Sequence, residues 1–597
     1  IISIAFFAIA IILFIFLSIN NAHAANCTWS NSNGTGIWSD HQNWNGCGNG
    51  NIPSASDNVG FDGTTGDSCI IDTNVNVASI TVTLGYNGNI TNTNNNIIIS
   101  GNVDLQGGGG TIDFGSNRNT IGGDLTSLKT SGSLDLGDGL LSLGGDLSLS
   151  AHSATFTAGS GTVNFNKTST QNVYLGGNQL NNVQNLNASS QLRLMDTFSA
   201  LGTFSNNSSG VVLLGGNNFS VTGTFSNDGI IMLMGNETVT LTSGADTDSG
   251  TFLYTGDVSG SKESYTIKDF GATDYYHLVI NDTAVNNDQY KLGNDLKING
   301  NLSVTDGEFD GNNYNMDING DIISIPGGAI FAPLKTTRLA GNMNVNGAFS
   351  MTNNALIIFD GSANQTINVG SSNLTKVQNS NTMGTVKLDS NINAYNFTND
   401  ASAVTDLNGK NFTVTNTFSN DGVIKLQGSE VLTLTQDTDS GTWEYYGDGA
   451  GKRTSHTIKE FGSTDYYNLI INDESTSNSD QFKTLAPLTV ANNVSNTDGS
   501  FDLSYQISDF NGDFFIGPNG YLAFDTGGLN IAGNWTNQGG YFAPGKSTIN
   551  FDNANGVSQK IMGSNTWYNL KRVTSTNIGT LILESNKTQT IQGESIL

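Results

Sequence analysis

The sequence predicts an all-β fold, a right-handed parallel β-helix or β-solenoid, and three observations predict it. The first is internal repetition. Residues 218–229 read NFSVTGTFSNDG and 411–422 read NFTVTNTFSNDG; ADTDSGTF (245–252) returns as QDTDSGTW (436–443), and FGATDYYHLVIND (270–282) returns as FGSTDYYNLIIND (461–473). Repetition at this fidelity marks an array of structural units. The second is a shorter period inside the long one: Phe204-Ser205-Asn206 recurs as Phe225-Ser226-Asn227, and Phe397-Thr398-Asn399 as Phe418-Ser419-Asn420, both 21 residues on. A unit of that size holds two or three short strands, one coil of a β-helix. The third is composition. Gly fills 73 of 597 positions, only six prolines occur, and branched apolar residues alternate with polar ones in short runs. Such runs punctuated by Gly and Asn read as short strands joined by tight turns.

Residues 1–24, an apolar run ending in Ala22-His23-Ala24, read as a secretory signal with a small-x-small cleavage site, so the mature chain is expected to start at Ala25. Residues 25–72 form a distinct opening module. It carries all three cysteines, Cys27, Cys47 and Cys69, and clusters Trp29, Trp38 and Trp44. Three cysteines in an oxidising compartment imply one disulfide and one spare thiol, with Cys27–Cys47 the favoured pair. Their spacing matches no standard zinc pattern. A stacked array needs its first rung covered, and Trp-rich loops supply that cover. The sharper alternative is a sugar-stacking surface made by Trp38 and Trp44. Trp38, Ser39, Asn43, Trp44, Pro53, Asp57, Val59 and Phe61 spell W-S-x-x-x-N-W … P-x-x-x-D-x-V-x-F. This resembles the opening of many bacterial exported β-helical, autotransporter-like and adhesin-like surface proteins. The resemblance implies export and a β-helical body.

Residues 73–200 read as solenoid containing the first copy of a second motif. Residues 201–393 form long repeat 1. Residues 394–597 hold long repeat 2 and a C-terminal part that is expected to be truncated. The motif runs Gly161-Thr162-Val163-Asn164-Phe165, then Gln171-Asn172-Val173, then Val183 to Leu186. It returns near 250, 355, 441 and 547 in alternating forms. It is expected to interrupt the coils as hairpin-like insertions. The pattern G-T-V-x-F … Q-x-I … Y-N-L is also similar to one widespread in bacterial adhesin-like repeat proteins, which implies a fold and no chemistry. Half-repeats of this length also suit a chain of β-sandwich domains, the rival architecture. Against it stand the absence of cysteine pairs within the repeats and of Pro-rich linkers.

Net charge is -28, from 23 Lys and Arg against 51 Asp and Glu. With no basic stripe this surface repels phosphate backbones, so nucleic acid is excluded as a partner. An acidic, Lys-poor exterior suits a secreted or cell-surface protein whose partners are extracellular glycans or surface proteins. Membrane contact is expected only through the signal segment or an anchor outside this chain. Histidines stand at 23, 41, 152, 277 and 456, and no Ser/His/Asp or Cys/His grouping emerges from them. His277 aligns with Asn468 and His456 with Tyr265 in the sister copy, which reads as surface variation. Asp274, Asp306 and Asp310 recur as Asp465, Asp498 and Asp502, as turn formers do. No cofactor is required by these patterns. The exception is Asp246-Thr247-Asp248-Ser249-Gly250 with its twin Asp437-Thr438-Asp439-Ser440-Gly441. Alternating carboxylates before a Gly can gather around Ca²⁺, although the full D-x-D-x-D-G-x₅-E loop is missing and an Asx-type turn uses the same residues. The expectation is a non-enzymatic, adhesin-like or structural stalk protein, with a polysaccharide-binding or polysaccharide-degrading β-helix as the alternative. The tyrosines Tyr275, Tyr276, Tyr466 and Tyr467 are candidates for display, or for packing between strands.

Overall fold

The structure, a computed structural model, describes residues 24–48, 51–188, 190–257, 260–283, 287–352, 354–450, 452–473, 479–553, 557–572 and 579–596. The expected signal segment lies outside the described residues, apart from Ala24. The chain divides into two compact units, one of residues 1–259 with 270–277 and the other of residues 260–269 with 278–597. Each is a stack of parallel strands, a right-handed parallel β-helix. Among the described residues the one helical turn is His41–Asn43, and the one antiparallel pairing joins Asn26–Trp29 to Trp44–Asn45. Tandem sandwiches, which need antiparallel sheets, are not what forms.

In the first unit, Val75, Ile97, Asn119, Leu141 and Val163 lie side by side on successive strands, 22 residues apart. The column continues through Val183, Phe204 and Phe225 at intervals of 20 and 21 residues. The alternation read from the sequence sets each strand's faces: Ile97 and Ile99 are buried, while Ile98 between them is 46% exposed. Three such strands, for example Ser79–Val82, Ile90–Asn92 and Ile97–Ile99, make one coil. Corners between them stack as well. Gly115, Gly137 and Gly159 all have positive φ, and a Cβ on Gly137 would stand 1.8 Å from the carbonyl oxygen of Gly115. Only glycine fits a corner that its neighbour one coil below approaches this closely.

The opening module caps this stack. Asn26–Trp29 pairs in parallel with Asn58–Phe61, and the rings of Trp29, Trp38 and Trp44 pack on one another and on Phe61. Cys27 and Cys47 are joined by a disulfide, and Cys69 is a buried thiol.

The second unit winds in the same way with longer strands. Leu302–Asp310 and Val494–Asp502 each bend across two faces, turning at Asp306-Gly307 and Asp498-Gly499. Both glycines have positive φ, and in each pair the Asp carboxylate accepts the glycine N–H, at 3.0 Å and 2.7 Å.

The G-T-V-x-F … Q-x-I motif is not a hairpin-like insertion. Thr162–Phe165 pairs in parallel with Leu140–Leu143 below and Asn182–Asn185 above, and Gln171–Tyr174 pairs in parallel with Gln191–Leu194. The motif is a coil of the same winding. Its glutamine explains the recurrence. The buried amide of Gln365 donates to the carbonyls of Leu339 (2.9 Å) and Gly341 (2.6 Å) in the coil below. Gln559 does the same to Ile531 and Gly533, both at 2.8 Å, and Gln171 to Leu143 at 2.9 Å. Corner carbonyls that a strand cannot satisfy are satisfied by a side chain folded inward.

Candidate functional site

The best-preserved sequence is interior. In Phe204-Ser205-Asn206 and its copies, phenylalanine and asparagine both point inward, as residues two apart on a strand must. Asn185, Asn206 and Asn227 form a buried ladder, each amide donating to the next at 2.8 Å and 2.7 Å. Asn379, Asn399 and Asn420 repeat it at 3.1 Å and 2.8 Å. Beside the ladders, Phe204 stacks on Phe225 and Phe397 on Phe418. The tyrosine pairs follow suit. Tyr275 and Tyr466 are fully buried, their hydroxyls bonded to those of Tyr254 (3.1 Å) and Tyr445 (2.8 Å), while Tyr276 and Tyr467 are half-buried. Asp274 and Asp465 accept the N–H groups of Phe270 (2.9 Å) and Phe461 (2.7 Å) as buried turn formers.

The two aspartate pairs are also tied to the backbone. Asp246 accepts from the N–H of Asn227 at 2.8 Å and from that of Asp248 at 3.3 Å; Asp437 accepts from Asn420 at 2.9 Å and Asp439 at 3.3 Å. Asp228, from the preceding coil, brings a third carboxylate, so that Asp228, Asp246 and Asp248 place oxygens within 4.8 Å of one another. Ser249 donates to both Asp228 (2.6 Å) and Asp248 (3.1 Å). Burial first, then the neighbouring Asp248 or Asp439, holds the Asp246 and Asp437 carboxyls above the usual range. The geometry is that of an Asx turn. A calcium ion here would compete for oxygens that already accept N–H groups.

Trp38 and Trp44 do not form a sugar platform. They are 1% and 6% exposed, and the Trp44 indole N–H donates to the Trp38 carbonyl at 2.9 Å. Their rings are the core of the cap, so neither offers a free face to a ligand.

An open aromatic site lies elsewhere, on a corner where the copies differ. In the first copy three residues (Leu201, Gly202, Thr203) separate Ala200 from Phe204; in the second only Tyr395 and Asn396 separate Ala394 from Phe397. With one residue fewer, the strand Ile392–Asn399 runs straight through its corner. Ala394 pairs with Val414 but Asn396 with Thr417, so Tyr395 alone faces Thr415 and Asn416, a two-against-one bulge. On its other side stands Thr375, flanked by residues in even register. Tyr395 is 53% exposed and lines a groove of about 510 Å³ with Asn373, Thr375, Asn393 and Thr415. The Asn393 amide donates to Asn373 at 2.7 Å, which fixes two side chains along the groove wall. An aromatic face ringed by amides and hydroxyls can stack an apolar ring face and hydrogen-bond its polar rim. Sequence reasoning passed over Tyr395 because it belongs to no repeated motif. Its signal is the missing residue in the alignment of copies.

No protein-family model matches the chain, and no curated protein or solved structure matches it either.

Proposed function

We propose that the chain is a non-enzymatic, exported, adhesin-like repeat protein of the bacterial cell surface, and that neutral glycan is the ligand class it binds. The observation that carries this reading is the Tyr395 groove: an exposed aromatic ring set among Asn373, Asn393, Thr375 and Thr415 on an otherwise repetitive scaffold. Its volume falls within the range of small-ligand sites. Its polar groups are neutral amides and hydroxyls, which suit sugar hydroxyls rather than a charged substrate. The net charge of -28 repels polyanionic polysaccharides and so favours uncharged ones. Coils that repeat one geometry also display surface groups at regular intervals, which lets weak contacts add through multivalency.

An array of neutral oligosaccharides, probed with the full chain and with Tyr395→Ala, tests the reading. Binding by the native chain and a loss of about tenfold or more in the variant, the worth of roughly one good stacking contact, is expected. Because Tyr395 is exposed, thermal melting of the variant should match that of the native chain. Absence of binding, or binding indifferent to Tyr395, would remove the groove as the site. Release of reducing sugar from any bound polysaccharide would overturn the non-enzymatic part.

A further inference from the structure

In the second copy a histidine joins a set of aspartates that the first copy shares. His456, which aligns with Tyr265, is not a surface variation: it is 6% exposed, its ring is stacked on Phe482 at 5.4 Å, and Gly428 lies so close that a Cβ there would stand 2.8 Å from its Cγ. Its Nε2 lies 3.3 Å from Oδ2 of Asp480, a carboxylate that is itself buried. Asp448 completes the group: one ligand atom each from Asp448, His456 and Asp480 lie within 4.8 Å of one another. Behind them stands buried Asp473, whose carboxylate accepts the N–H of Asp480. The backbone braces the set. Asp480 accepts the N–H groups of Thr454 (2.6 Å) and Asp448 (3.1 Å), and Asp448 accepts the N–H of Ala450 at 2.8 Å and the hydroxyl of Thr454 at 3.1 Å. Gly447 has φ +78°, and a Cβ there would meet both Asp473 and Asp480 at 2.8 Å, so the chain folds tightly over the carboxylates.

We infer that Asp448, His456 and Asp480 form a binding site for a first-row divalent cation, Zn²⁺ by preference. Three features point there. Asp448, His456 and Asp480 each place a ligand atom within 4.8 Å of the others, and two of the three, His456 and Asp480, are buried and held in position by ring packing and backbone N–H groups. The 3.3 Å between His456 Nε2 and Asp480 Oδ2 equals the edge of a tetrahedron with metal–ligand bonds of about 2.0–2.1 Å, so both atoms can reach one ion without moving apart. Imidazole with two carboxylates is also a donor set that zinc accepts, leaving a fourth position for water.

The first copy shows what the fold needs without an imidazole. There Asp288 accepts the N–H of Glu263 at 2.6 Å and donates its own N–H to Asp282 at 2.6 Å, so the carboxylates keep their backbone roles. Tyr265 occupies the histidine position, packs on Tyr290 and donates to Glu263 at 2.9 Å. Histidine is therefore not required for the turn, and tyrosine is tolerated in its place.

The test uses the full chain, stripped with chelator, titrated with Zn²⁺ by calorimetry and with Co²⁺ by visible absorption. One equivalent of Zn²⁺ bound, an intense tetrahedral Co²⁺ band, and at least tenfold weaker binding in both His456→Tyr and His456→Gln are expected. His456→Tyr installs the sister copy's own residue. His456→Gln keeps a polar side chain, and circular dichroism identifies which variant folds. No heat from the native chain, or binding unchanged in a folded variant, overturns the assignment.

Discussion

At the scale of single residues, the interior polar side chains decide the fold's specificity. Asn206 sits mid-ladder, bonded to Asn185 and Asn227 and fully buried. Asn206→Ala leaves a donor and an acceptor of its neighbours unpaired, and each buried orphan costs about 1–3 kcal/mol, so a loss of roughly 2–6 kcal/mol is expected in denaturant unfolding. A cost below about 1 kcal/mol would mean that the ladder contributes nothing beyond filling space. The period of two that places Phe204 inside also places Asn206 inside, so the ladder's direction was legible. Its polarity argued for a turn at the surface, and only the stacking of coils supplies partners that make burial affordable. Glu237 and Glu430 teach the same lesson: each is buried with its carboxylate accepting backbone N–H groups, Glu430 at 2.7 Å from both Gln427 and Gly428. Nothing in the local sequence marks a glutamate as an internal turn cap.

At the scale of strands and coils, register brings like residues together, which helps when they are apolar and costs when they are charged. Asp113 and Asp135 are neighbours across one coil step, each accepting the N–H of the glycine two residues on, at 2.7 Å and 2.8 Å. Burial first, then repulsion from Asp113 and Asp138, raises the Asp135 carboxyl above its usual value, against the bond from Gly137. A carboxyl raised in the folded state binds its proton more tightly there than in the unfolded chain. Its charge therefore removes stability as pH climbs from the ordinary carboxylate value through the raised one, and acidification through that window restores it. Asp135→Asn keeps the acceptor and drops the charge. It should melt higher than the native chain at pH 7, and the difference should vanish near pH 4; a difference independent of pH would place the cause in packing. Strand existence and coil length were readable from the spacing of Phe-x-Asn and from the Gly-rich corners. The winding of the Gln motif was not, because five intervening residues between Phe165 and Gln171 look like a loop of their own. Neither was the bulge at Tyr395, since an expected period hides a single missing residue.

At the scale of the whole molecule, the copies divide the labour. What they share is fold: the Asn ladders, the Phe stacks, the buried tyrosines and the aspartate turns. Where they differ, at Tyr395 and at His456, the second unit carries the groove ring and the imidazole on which the two proposed sites rest. The sequence made the repeats plain and the repeats made the solenoid plain. The candidate sites were not legible, because repetition draws attention to the residues that build the scaffold. Every assignment rests on coils stacked in register, and one measurement tests that directly. Ser205 and Ser226 stand side by side on adjacent strands, whereas Ser220, closer to Ser205 in sequence, lies on another face paired with Ser199. Neighbouring parallel strands run about 4.8 Å apart, within reach of a disulfide. Oxidation of Ser205→Cys/Ser226→Cys is expected to close an intramolecular disulfide, detected by peptide mass mapping, while Ser205→Cys/Ser220→Cys stays reduced. Closure of the second pair in preference to the first would contradict the stacking on which the account stands.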